Sequence, residues 1–311
     1  MESPNLVVVG GINSDYLVRG PRLPSPGENL EGDRFLETPG GKGANQAVAA
    51  ARLGARVALV ARVGADDRGR ALLSRLAGEG IAIGLVVHDG EAPTGATVIQ
   101  IDGRGQKQTL AAPGANRRLA VEDVRRAGAL IRSARAVLVQ LEIPLECVAE
   151  ALRLGRAAGA LVVLDPAPPV PLPEELLRLV NVIKPNAREA EVLTGIAVRD
   201  RDSARIAAGR LLDRGVGAVA VQAGDAGNLI VWHDGELWLP TIPVASVDTT
   251  GAGDAFTAAL AVALAEDRPW AEAGPFALAA AALATTALGA QAALPHRDAI
   301  HALLAQPPRR S

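Results

Sequence analysis

The chain has 311 residues and a formal net charge of −2 at pH 7, a length that accommodates one large domain or two smaller ones. The nearly balanced charge and the lack of a long basic run argue against a nucleic-acid-binding surface. The single cysteine, Cys147, excludes an intramolecular disulfide, and the four histidines follow neither a zinc-site spacing nor a Ser-His-Asp pattern.

Apolar segments of β-strand type alternate with helical segments along most of the chain. The predicted strands cover residues 6–9, 57–60, 136–139, 161–164, 182–183 and 218–222. The predicted helices cover residues 43–53, 68–78, 121–132, 145–158, 189–194, 203–214, 254–264 and 275–287. Continuous apolar strands that are separated by helices are typical of a parallel sheet covered on both faces. The pattern therefore predicts an α/β fold.

Two regions interrupt this alternation. Residues 15–38 contain Pro and Gly and are expected to form short strands and turns. Residues 94–112 contain two strand-like segments, 97–101 and 107–111, around the sequence Asp-Gly-Arg-Gly. This arrangement predicts a β-hairpin with a turn longer than two residues. Taken alone, both regions are equally compatible with a pair of surface hairpins.

The sequence gives no indication of export or membrane insertion. The first residues lead directly into a predicted strand and lack the charged and apolar regions of a signal peptide. The segment between Glu272 and His296 has no charged residue, but it is mostly Ala with interspersed Thr, Gly and Gln. A buried Ala-rich helix explains this composition better than a transmembrane helix does. We therefore expect a cytoplasmic protein that does not span a membrane.

Residues 40–46 read Gly-Gly-Lys-Gly-Ala-Asn-Gln and lead into a run of small residues. The segment differs from a phosphate-binding Walker A loop, because Leu36 occupies the position of the first Gly and Gly43 follows the Lys. Two glycines allow a ligand to approach the backbone closely, and Lys42 and Asn45 offer hydrogen-bond donors that suit hydroxyl groups. A flexible linker is the alternative, but a linker would not continue directly into an apolar helix.

Residues 251–254 read Gly-Ala-Gly-Asp and stand at the start of a predicted helix. The backbone N–H groups of Gly251, Ala252 and Gly253 would lie at the positive end of that helix and could hold an anion. An acidic residue at this point is unexpected if the only task is to bind phosphate. It suits phosphoryl transfer, in which Asp254 takes a proton from the attacking hydroxyl group. The alternative is a glycine turn in which Asp254 is an ordinary first-turn residue.

Together, these two motifs resemble those of the ribokinase family of sugar and nucleoside kinases, and the resemblance extends over nearly the whole chain. Further matching segments are residues 10–15, 24–28, 140–142, 165–168 and 184–189. The resemblance implies a single kinase domain over residues 1–311, built as a three-layer α/β sandwich with a mostly parallel central sheet and helices on both faces. It also implies that residues 15–38 and 94–112 form a small β-sheet lid over the sugar, which would exclude water.

The resemblance assigns residues to the parts of a kinase active site. The implied catalytic residues are Asp254 as the general base and Gly251, Ala252 and Gly253 as the anion hole. The implied sugar-binding residues are Asn13, Asp15, Gly41, Lys42, Asn45, Glu142 and Asp254. The implied ATP-binding residues are Asn186, Gln222, Gly224, Gly227 and Gly253. The family often has Thr at the position of Gln222, and the Ala-rich helix after Pro275 would form an apolar wall for adenine.

The resemblance also implies two cation sites. Asn186 and Glu189 would organise Mg²⁺ through water, and the alternative is simple capping of the helix that follows. The implied K⁺ ligands are the Asp248 side chain and the carbonyl groups of Thr250, Ala284, Ala287 and Gly289. Family members often place a Ser hydroxyl group at the position of Ala293, so we expect K⁺ activation with modest affinity. The alternative role of Asp248 is to cap its turn.

The expected activity is ATP-dependent phosphorylation of a sugar hydroxyl group, with D-ribose converted to D-ribose 5-phosphate. Lys42 within its motif favours ribose, and the alternatives within the family are 2-deoxyribose, a hexose and a nucleoside. A non-catalytic sugar-binding protein is disfavoured, because binding alone does not require Asp254. A dinucleotide oxidoreductase is disfavoured because no Gly-x-Gly-x-x-Gly motif follows the first strand. Members of the family commonly pair through their lids, which implies a homodimer.

Overall fold

The structure is a computed structural model that describes residues 5–103, 106–224 and 227–306. The strands are β1 (Asn5–Val9), β2 (Asn13–Arg19), β3 (Arg34–Gly40), β4 (Arg56–Gly64), β5 (Ala82–Asp89), β6 (Gly95–Ile101), β7 (Lys107–Ala112), β8 (Ala136–Gln140), β9 (Leu161–Asp165), β10 (Val182–Ile183), β11 (Ala218–Gln222), β12 (Gly227–Trp232) and β13 (Gly235–Pro240). The helices are α1 (Lys42–Arg52), α2 (Asp67–Gly78), α3 (Val121–Arg126), α4 (Gly128–Ser133), α5 (Leu145–Ala157), α6 (Glu174–Leu177), α7 (Ala187–Thr194), α8 (Arg201–Asp213), α9 (Ala252–Ala265), α10 (Trp270–Ala284) and α11 (Arg297–Leu304). A short 3₁₀ helix covers Gly114–Arg118.

Nine of these strands form one sheet, the main sheet, in the order β13-β12-β11-β10-β9-β8-β1-β4-β5. The strands from β11 to β5 run parallel to their neighbours, and β12 and β13 extend the sheet beyond β11 as an antiparallel hairpin. The six predicted strands are confirmed as β1, β4, β8, β9, β10 and β11. The strands that were not predicted, β5, β12 and β13, lie toward the two edges of the sheet, where fewer of their side chains are buried.

Alternate side chains of the main sheet enter two hydrophobic cores, one on each face. In β1, Leu6 and Val8 pack into the core that contains α1, α9 and α10. Val7 and Val9 of the same strand pack into the opposite core, with α5 and α8. Since successive side chains of a strand point to opposite faces, burial on both faces makes the strand continuously apolar. The expected three-layer α/β sandwich is therefore confirmed.

Two predicted helices have different bounds in the structure. Helix α10 begins at Trp270, so Pro275 lies inside the helix and not at its start. Trp270 stacks on Trp232 with ring centroids 5.5 Å apart, and this contact anchors a first turn ahead of the proline. The predicted helix 121–132 is two short helices, α3 and α4, which meet at Ala127 just before a glycine, a poor helix former. No helix in the described parts of the chain is both long enough and apolar enough to cross a membrane.

The remaining four strands form a second sheet, the small sheet, in the order β3-β2-β6-β7. Strand β2 pairs antiparallel with β3 and parallel with β6, and β6 and β7 form the predicted hairpin, whose residues 104–105 lie outside the described residues. The inner face of the small sheet buries Leu17, Ile99 and Ile101. The outer face leaves four large apolar side chains exposed, namely Val18, Phe35, Val98 and Leu110.

Candidate active site

Polar side chains collect at the carboxyl ends of the parallel strands of the main sheet. Glu142 follows β8, Asp165 ends β9, and Lys184 follows β10. The first turns of α1 and α9 meet at the same edge, where Asn45 donates a hydrogen bond to Asp254. In open parallel α/β sheets, ligands usually bind at this edge. The topology therefore brings the two sequence motifs together although they lie far apart in the chain.

Glycines allow α1 to begin directly against the end of β1. Gly41, the residue that caps α1, has a φ of 87°, and a Cβ at this position would lie 2.7 Å from the backbone N of Asn13. A Cβ on Gly43 would lie 2.6 Å from the carbonyl carbon of Gly10. Because α1 approaches β1 so closely, the polar side chains of Asn45 and Gln46 are buried at the edge of the main sheet, and that of Lys42 is half-buried.

Asp254 lies in the first turn of α9, and only 5% of its surface is exposed. Its carboxylate accepts hydrogen bonds from Asn45 Nδ2 at 2.9 Å and from Gln46 Nε2 at 3.1 Å. The ammonium nitrogen of Lys42 lies 3.6 Å from Asp254 Oδ1. All three partners belong to α1, so the motif at the start of α1 fixes the orientation of the carboxylate on α9.

The Gly-Ala-Gly sequence at 251–253 forms the N-terminal turn of α9. Gly251 caps the helix with a φ of 85°, and a side chain at this position would collide with the carbonyl group of Ala290. The N–H groups of a first helical turn have no acceptor within the helix, and they carry the positive end of its dipole. This turn can therefore hold an anion directly beside Asp254, in agreement with the sequence interpretation.

A buried network behind Asp254 contains residues to which the sequence analysis gave no role. Gln46 Nε2 donates to both Asp254 and Asp165, and the second bond is 2.9 Å long. Gln140 Nε2 donates to Gln46 Oε1 at 2.6 Å, and Lys42 Nζ lies 3.3 Å from Asp165 Oδ2. Burial lowers the pKa of Lys42, but the nearby carboxylates outweigh it and raise that pKa above its ordinary value. Gln46 lies one helical turn after Lys42, so both side chains lie on the same face of α1. This spacing was the sequence signal that could have placed Gln46 in the site.

Three of the expected sugar-binding residues form a closed polar layer beneath the small sheet. Glu142 Oε2 accepts the backbone N–H of Lys42 at 2.8 Å, and Asn13 Oδ1 accepts Asn116 Nδ2 at 2.7 Å. Asp15 Oδ1 is buried and has no hydrogen-bond partner within the described residues. Burial raises the pKa of Asp15 to about 6 and the pKa of Glu142 to about 7. A buried carboxylate oxygen without a partner can accept a donor from a ligand, and a hydroxyl group is such a donor.

Asn116, in the 3₁₀ helix after β7, supports this layer and was not recognised in the sequence. Its side chain accepts the backbone N–H of Ile12 at 2.9 Å and donates to the Ile12 carbonyl group at 3.1 Å. Together with its bond to Asn13, these contacts hold the connection between β1 and β2. The Pro-Gly pair that precedes Asn116 by a few residues indicates a turn, but it does not indicate the partner.

A cleft of about 610 Å³ opens on the other side of Asp254. The residues predicted for ATP binding that line this cleft are Asn186, Gln222, Gly224 and Gly253. The apolar lining residues contributed by α10 are Leu278, Ala281 and Ala282. Gly227 does not line the cleft, because it is buried at the start of β12, where a side chain would collide with the Leu239 carbonyl group. The cleft thus has the apolar wall and the polar rim that a nucleotide requires.

Lys184 is a buried cation in this cleft, with 5% of its surface exposed. Its ammonium nitrogen lies 2.9 Å from the position that a Cβ on Gly253 would take, so it sits directly against the N-terminal turn of α9. The sequence analysis included Lys184 in a matching segment but assigned it no role. Its location directly after a buried strand and two residues before the cap of α7 was the signal that pointed to the site.

Asn186 and Glu189 form a reciprocal cap at the start of α7. Asn186 Oδ1 accepts the N–H of Glu189 at 2.9 Å, and the Glu189 carboxylate accepts the N–H of Asn186 at 2.8 Å and its Nδ2 at 2.7 Å. Burial raises the pKa of Glu189. Within the described parts of the chain, no three His, Cys, Asp or Glu side chains are grouped to hold a metal. Both oxygens of the Glu189 carboxylate already accept hydrogen bonds from Asn186, so the pair suits Mg²⁺ held through water and not by direct ligation.

The Asp248 side chain is fully buried at the segment that leads into α9. Its carboxylate accepts the N–H of Thr250 and the N–H of Gly289, both at 2.9 Å, and the hydroxyl group of Thr250 at 2.7 Å. The ammonium group of Lys107, on β7 of the small sheet, bonds to the same carboxylate. Burial raises the pKa of Asp248, but Lys107 and the N–H donors outweigh it and lower that pKa below its ordinary value. The sequence analysis did not single out Lys107.

The other expected K⁺ ligands lie at the end of α10. Ala284 is the last residue of the helix, and Ala287 follows three residues later. Between them, the carbonyl group of Thr285 accepts the N–H groups of Val247 and Asp248 at 2.7 and 3.0 Å. The end of α10 is thus tied by backbone hydrogen bonds to the segment that carries the carboxylate.

Comparisons with a family model, with known sequences and with solved structures all indicate the same family. The family model described as pfkB family carbohydrate kinase matches residues 3–297. Ribokinase from Haemophilus influenzae is 39% identical over 293 residues, which cover 94% of this chain and 96% of that protein. Deoxyribokinase from Salmonella typhi is 35% identical over 253 residues, with coverages of 81% and 83%. The structure of Arabidopsis thaliana ribokinase complexed with ribose and ATP has a TM-score of 0.88 and 34% identity, covering 98% of this chain and 100% of that chain.

The fold and the family match are those of an enzyme that phosphorylates a carbohydrate. The family match covers nearly the whole chain and includes every element that builds the site. The chain belongs to the pfkB family of carbohydrate kinases.

Proposed function

We propose that this chain transfers the γ-phosphoryl group of ATP to the 5-hydroxyl group of D-ribose and releases D-ribose 5-phosphate and ADP. The observation that carries the proposal is the position of Asp254, whose buried carboxylate lies between a closed polar layer and an open cleft at the start of α9. The relatives named ribokinase, one of them solved with ribose and ATP, support both substrates. The cytoplasmic location expected from the sequence stays a prediction.

Asp254 is the general base in this proposal. Asn45 and Gln46 each donate to one of its two oxygens, so the carboxylate has a fixed orientation toward the end of the main sheet. A carboxylate within hydrogen-bond reach of the attacking hydroxyl group removes its proton as the bond to phosphorus forms. General-base catalysis of this kind contributes about 10²–10⁴-fold to the rate.

The closed polar layer binds the sugar. The free oxygen of Asp15 and the carboxylate of Glu142 accept hydrogen bonds from ribose hydroxyl groups, while Asn13 and Lys42 offer donors. In this proposal the small sheet acts as a lid over this layer and keeps water away from the phosphoryl group. Water would otherwise compete with the sugar as the acceptor.

The open cleft binds the nucleotide. The N–H groups of residues 251–253 and the ammonium group of Lys184 stabilise the negative charge that develops on the transferred phosphoryl group. Mg²⁺, when bound, would neutralise charge on the phosphate oxygens, and Asn186 and Glu189 would hold it through water. The apolar residues of α10 provide a face for the adenine ring, and Gln222 and Gly224 lie on the rim beside it.

The resemblance implies K⁺ as an activator at Asp248, with the carbonyl groups of Thr250, Ala284, Ala287 and Gly289 as the further ligands. We propose that in this chain K⁺ binds there only where the ammonium group of Lys107 is absent. The carboxylate suits a monovalent cation, because it is buried and already bonds to the ammonium group of Lys107. K⁺ would support the segment that ends in the anion-binding turn. It can take this position only when the ammonium group has moved away.

The second candidate substrate is 2-deoxyribose, because a deoxyribokinase is among the relatives and covers four fifths of this chain. The test is a coupled ADP-release assay with D-ribose, 2-deoxyribose, hexoses and nucleosides, in which Asp254→Asn serves as the inactive control. We expect the largest kcat/KM for D-ribose and a product that co-elutes with ribose 5-phosphate. A larger kcat/KM for another acceptor would reassign the substrate, and no ADP release with any of them would overturn the proposal.

We also propose that two copies of the chain pair through the outer faces of their small sheets. Val18, Phe35, Val98 and Leu110 form an exposed apolar surface there, and exposed patches of this kind mark interfaces. Leu110→Asp should shift the sedimentation coefficient from that of a dimer to that of a monomer. The control is Ile206→Asp, which changes another largely exposed apolar residue, on α8, and should remain dimeric. A monomeric wild type at micromolar concentration would contradict this part.

A further inference from the structure

Lys107 makes a contact between the two sheets that the proposed reaction does not explain. It is the first residue of β7, yet its ammonium group reaches the segment before α9. There it bonds to the Asp248 carboxylate and, at 2.7 Å, to the hydroxyl group of Thr250. The Lys107 side chain is 24% exposed, whereas the Asp248 side chain is 0% exposed. The ammonium group is therefore the charged partner of a carboxylate that water cannot reach.

The position of the ammonium group has the features of a monovalent cation site. It lies among oxygen atoms of Asp248, Thr250 and, at 3.4 Å, Thr249. A lysine ammonium group and a K⁺ ion carry the same charge and use the same oxygen ligands. Two like charges cannot share one carboxylate at contact distance without strong repulsion. Lys107 and K⁺ therefore exclude one another at Asp248.

The contact also reaches the anion-binding turn through the backbone. Thr250 immediately precedes Gly251, the residue that caps α9, and the Thr249 carbonyl group accepts the N–H of Ala252 at 3.3 Å. Lys107 thus bonds to Thr249 and Thr250, the two residues that directly precede the anion-binding turn at residues 251–253. Because Lys107 belongs to the small sheet, its charge reaches this segment through the position of that sheet beside the main sheet.

We propose that Lys107 is a positioning residue that serves as a tethered monovalent cation at Asp248. Its ammonium group takes the place of K⁺ and orders the segment that leads into the anion-binding turn. The inference rests on the proposed phosphoryl transfer for its catalytic consequence. The competition between Lys107 and K⁺ for Asp248 does not depend on the identity of the sugar.

Lys107→Met tests this inference, since Met keeps the length of the side chain but removes the charge. Activity is measured with saturating substrates in buffers that contain K⁺, Na⁺ or only a bulky organic cation. The wild type should vary by less than about twofold among these buffers. Without K⁺, Lys107→Met should lose about tenfold or more in kcat, since poorly held anion-hole donors stabilise the transition state less. K⁺ should restore most of this loss, and it should not do so in the double variant with Asp248→Asn.

A second readout is independent of turnover. In the absence of substrates, K⁺ at high concentration should raise the Tm of Lys107→Met by about 2–4 °C relative to Na⁺, because the ion binds only the folded site. The Tm of the wild type should not change, because the ammonium group of Lys107 already occupies the site at Asp248. The control is Gln108→Met on the same strand, an exposed residue that should match the wild type in both readouts.

Three results would overturn the inference. One is wild-type activity that K⁺ raises tenfold or more, to the same extent as in Lys107→Met. Another is full activity of Lys107→Met without K⁺, which would leave the ion pair with only a structural role. The third is a Tm of Lys107→Met that does not respond to K⁺. If Lys107→Met fails to fold, Lys107→Gln takes its place with the same expectations. If no sugar is phosphorylated under any condition, the proposed function fails, and the Tm comparison still decides the occupancy of Asp248.

Discussion

The two sides of Asp254 differ in openness and in the charged groups that they present. On the sugar side, Asp15 and Glu142 lie beneath the small sheet in a closed layer, and burial raises the pKa of both carboxyl groups. On the nucleotide side, a cleft of about 610 Å³ is open and presents Lys184 and the N-terminal turn of α9. One side therefore offers largely buried acceptors, and the other offers an open space with a buried lysine and free backbone N–H groups.

The difference matches the chemistry of the two proposed substrates. A sugar is neutral and needs hydrogen-bond partners at fixed positions, which a buried layer provides because water cannot compete there. A nucleoside triphosphate is a polyanion and needs cations, dipoles and room for a metal ion. Asp15 and Glu142 do not line the cleft, whereas the two carboxylates that do, Asp165 and Glu189, lie near Lys42 and Lys184. Asp254, at the boundary, is the group that both sides share.

The largest effect is expected from Asp254→Asn, which removes the proposed general base between the sugar side and the nucleotide side. The amide keeps the size of the side chain but cannot take the proton, so kcat should fall by at least about 10²-fold. The dissociation constants of sugar and ATP, measured by calorimetry, should stay roughly unchanged. Near-normal turnover would show that the base lies elsewhere.

The paired variants Lys42→Met and Lys184→Met sharpen the comparison. Lys42 is half-buried and contacts Asp165 and Asp254 at the sugar side of the cleft, whereas Lys184 is buried against the N-terminal turn of α9. Loss of a charged hydrogen bond costs about 1.5–3 kcal/mol, or about 10–100-fold in affinity. Lys42→Met should raise the KM of ribose more than that of ATP, and Lys184→Met should raise the KM of ATP more than that of ribose. Each variant is the control for the other. Equal changes in both KM values would contradict the assignment of Lys42 to ribose binding and of Lys184 to ATP binding.

A pH profile tests the carboxylates of the sugar side. The free enzyme has the pKa of Glu142 raised to about 7 and that of Asp15 raised to about 6, so both groups gain protons as the pH falls from about 8 to 5.5. Protonated groups accept hydroxyl donors poorly, and kcat/KM for ribose should fall by about tenfold or more over this range. Glu142→Gln should have a lower plateau and should lose activity only nearer pH 6. A flat wild-type profile between pH 6 and 8 would contradict this account.

The smallest effect is expected from Asn186→Ala on the nucleotide side. Loss of the reciprocal cap of α7 should reduce the free energy of unfolding by about 1 kcal/mol in denaturant titrations. The concentration of Mg²⁺ that gives half-maximal activity should also rise. Asp200→Ala removes a similar cap from α8 and should cost similar stability without changing the Mg²⁺ dependence. The same Mg²⁺ response in both variants would leave Asn186 with capping alone.

The features that local patterns encode were predictable from the sequence. The six central strands are apolar on both faces, and they are the strands that periodicity identified. The N-terminal turns of α1 and α9 carry glycines at positions where backbone conformation and close packing exclude a side chain. Asp254 and Lys42 stand within these two motifs. For this reason, the resemblance alone was enough to predict that the two residues belong to one site.

The residues that the sequence did not reveal act through contacts between distant parts of the chain. Lys107 bonds to Asp248 across 141 positions, and Asn116 bonds to Asn13 across 103. The residues next to Lys107 and Asn116 in the sequence do not specify these partners, because each contact depends on how the two sheets are placed relative to one another. Strands near the edges of the main sheet escaped prediction for a related reason, since their exposed side chains remove the continuous apolar pattern.

The hydrogen bonds that orient Asp254 have a consequence for folding. They join residues that are 209 and 208 positions apart in the sequence. Contacts of such long range form late, because the chain must first close a large loop, and the intervening strands of the main sheet fill that loop. During refolding, phosphoryl transfer should therefore recover after the far-ultraviolet circular dichroism has returned. A partly folded chain can then contain most of its strands and helices without consuming ATP.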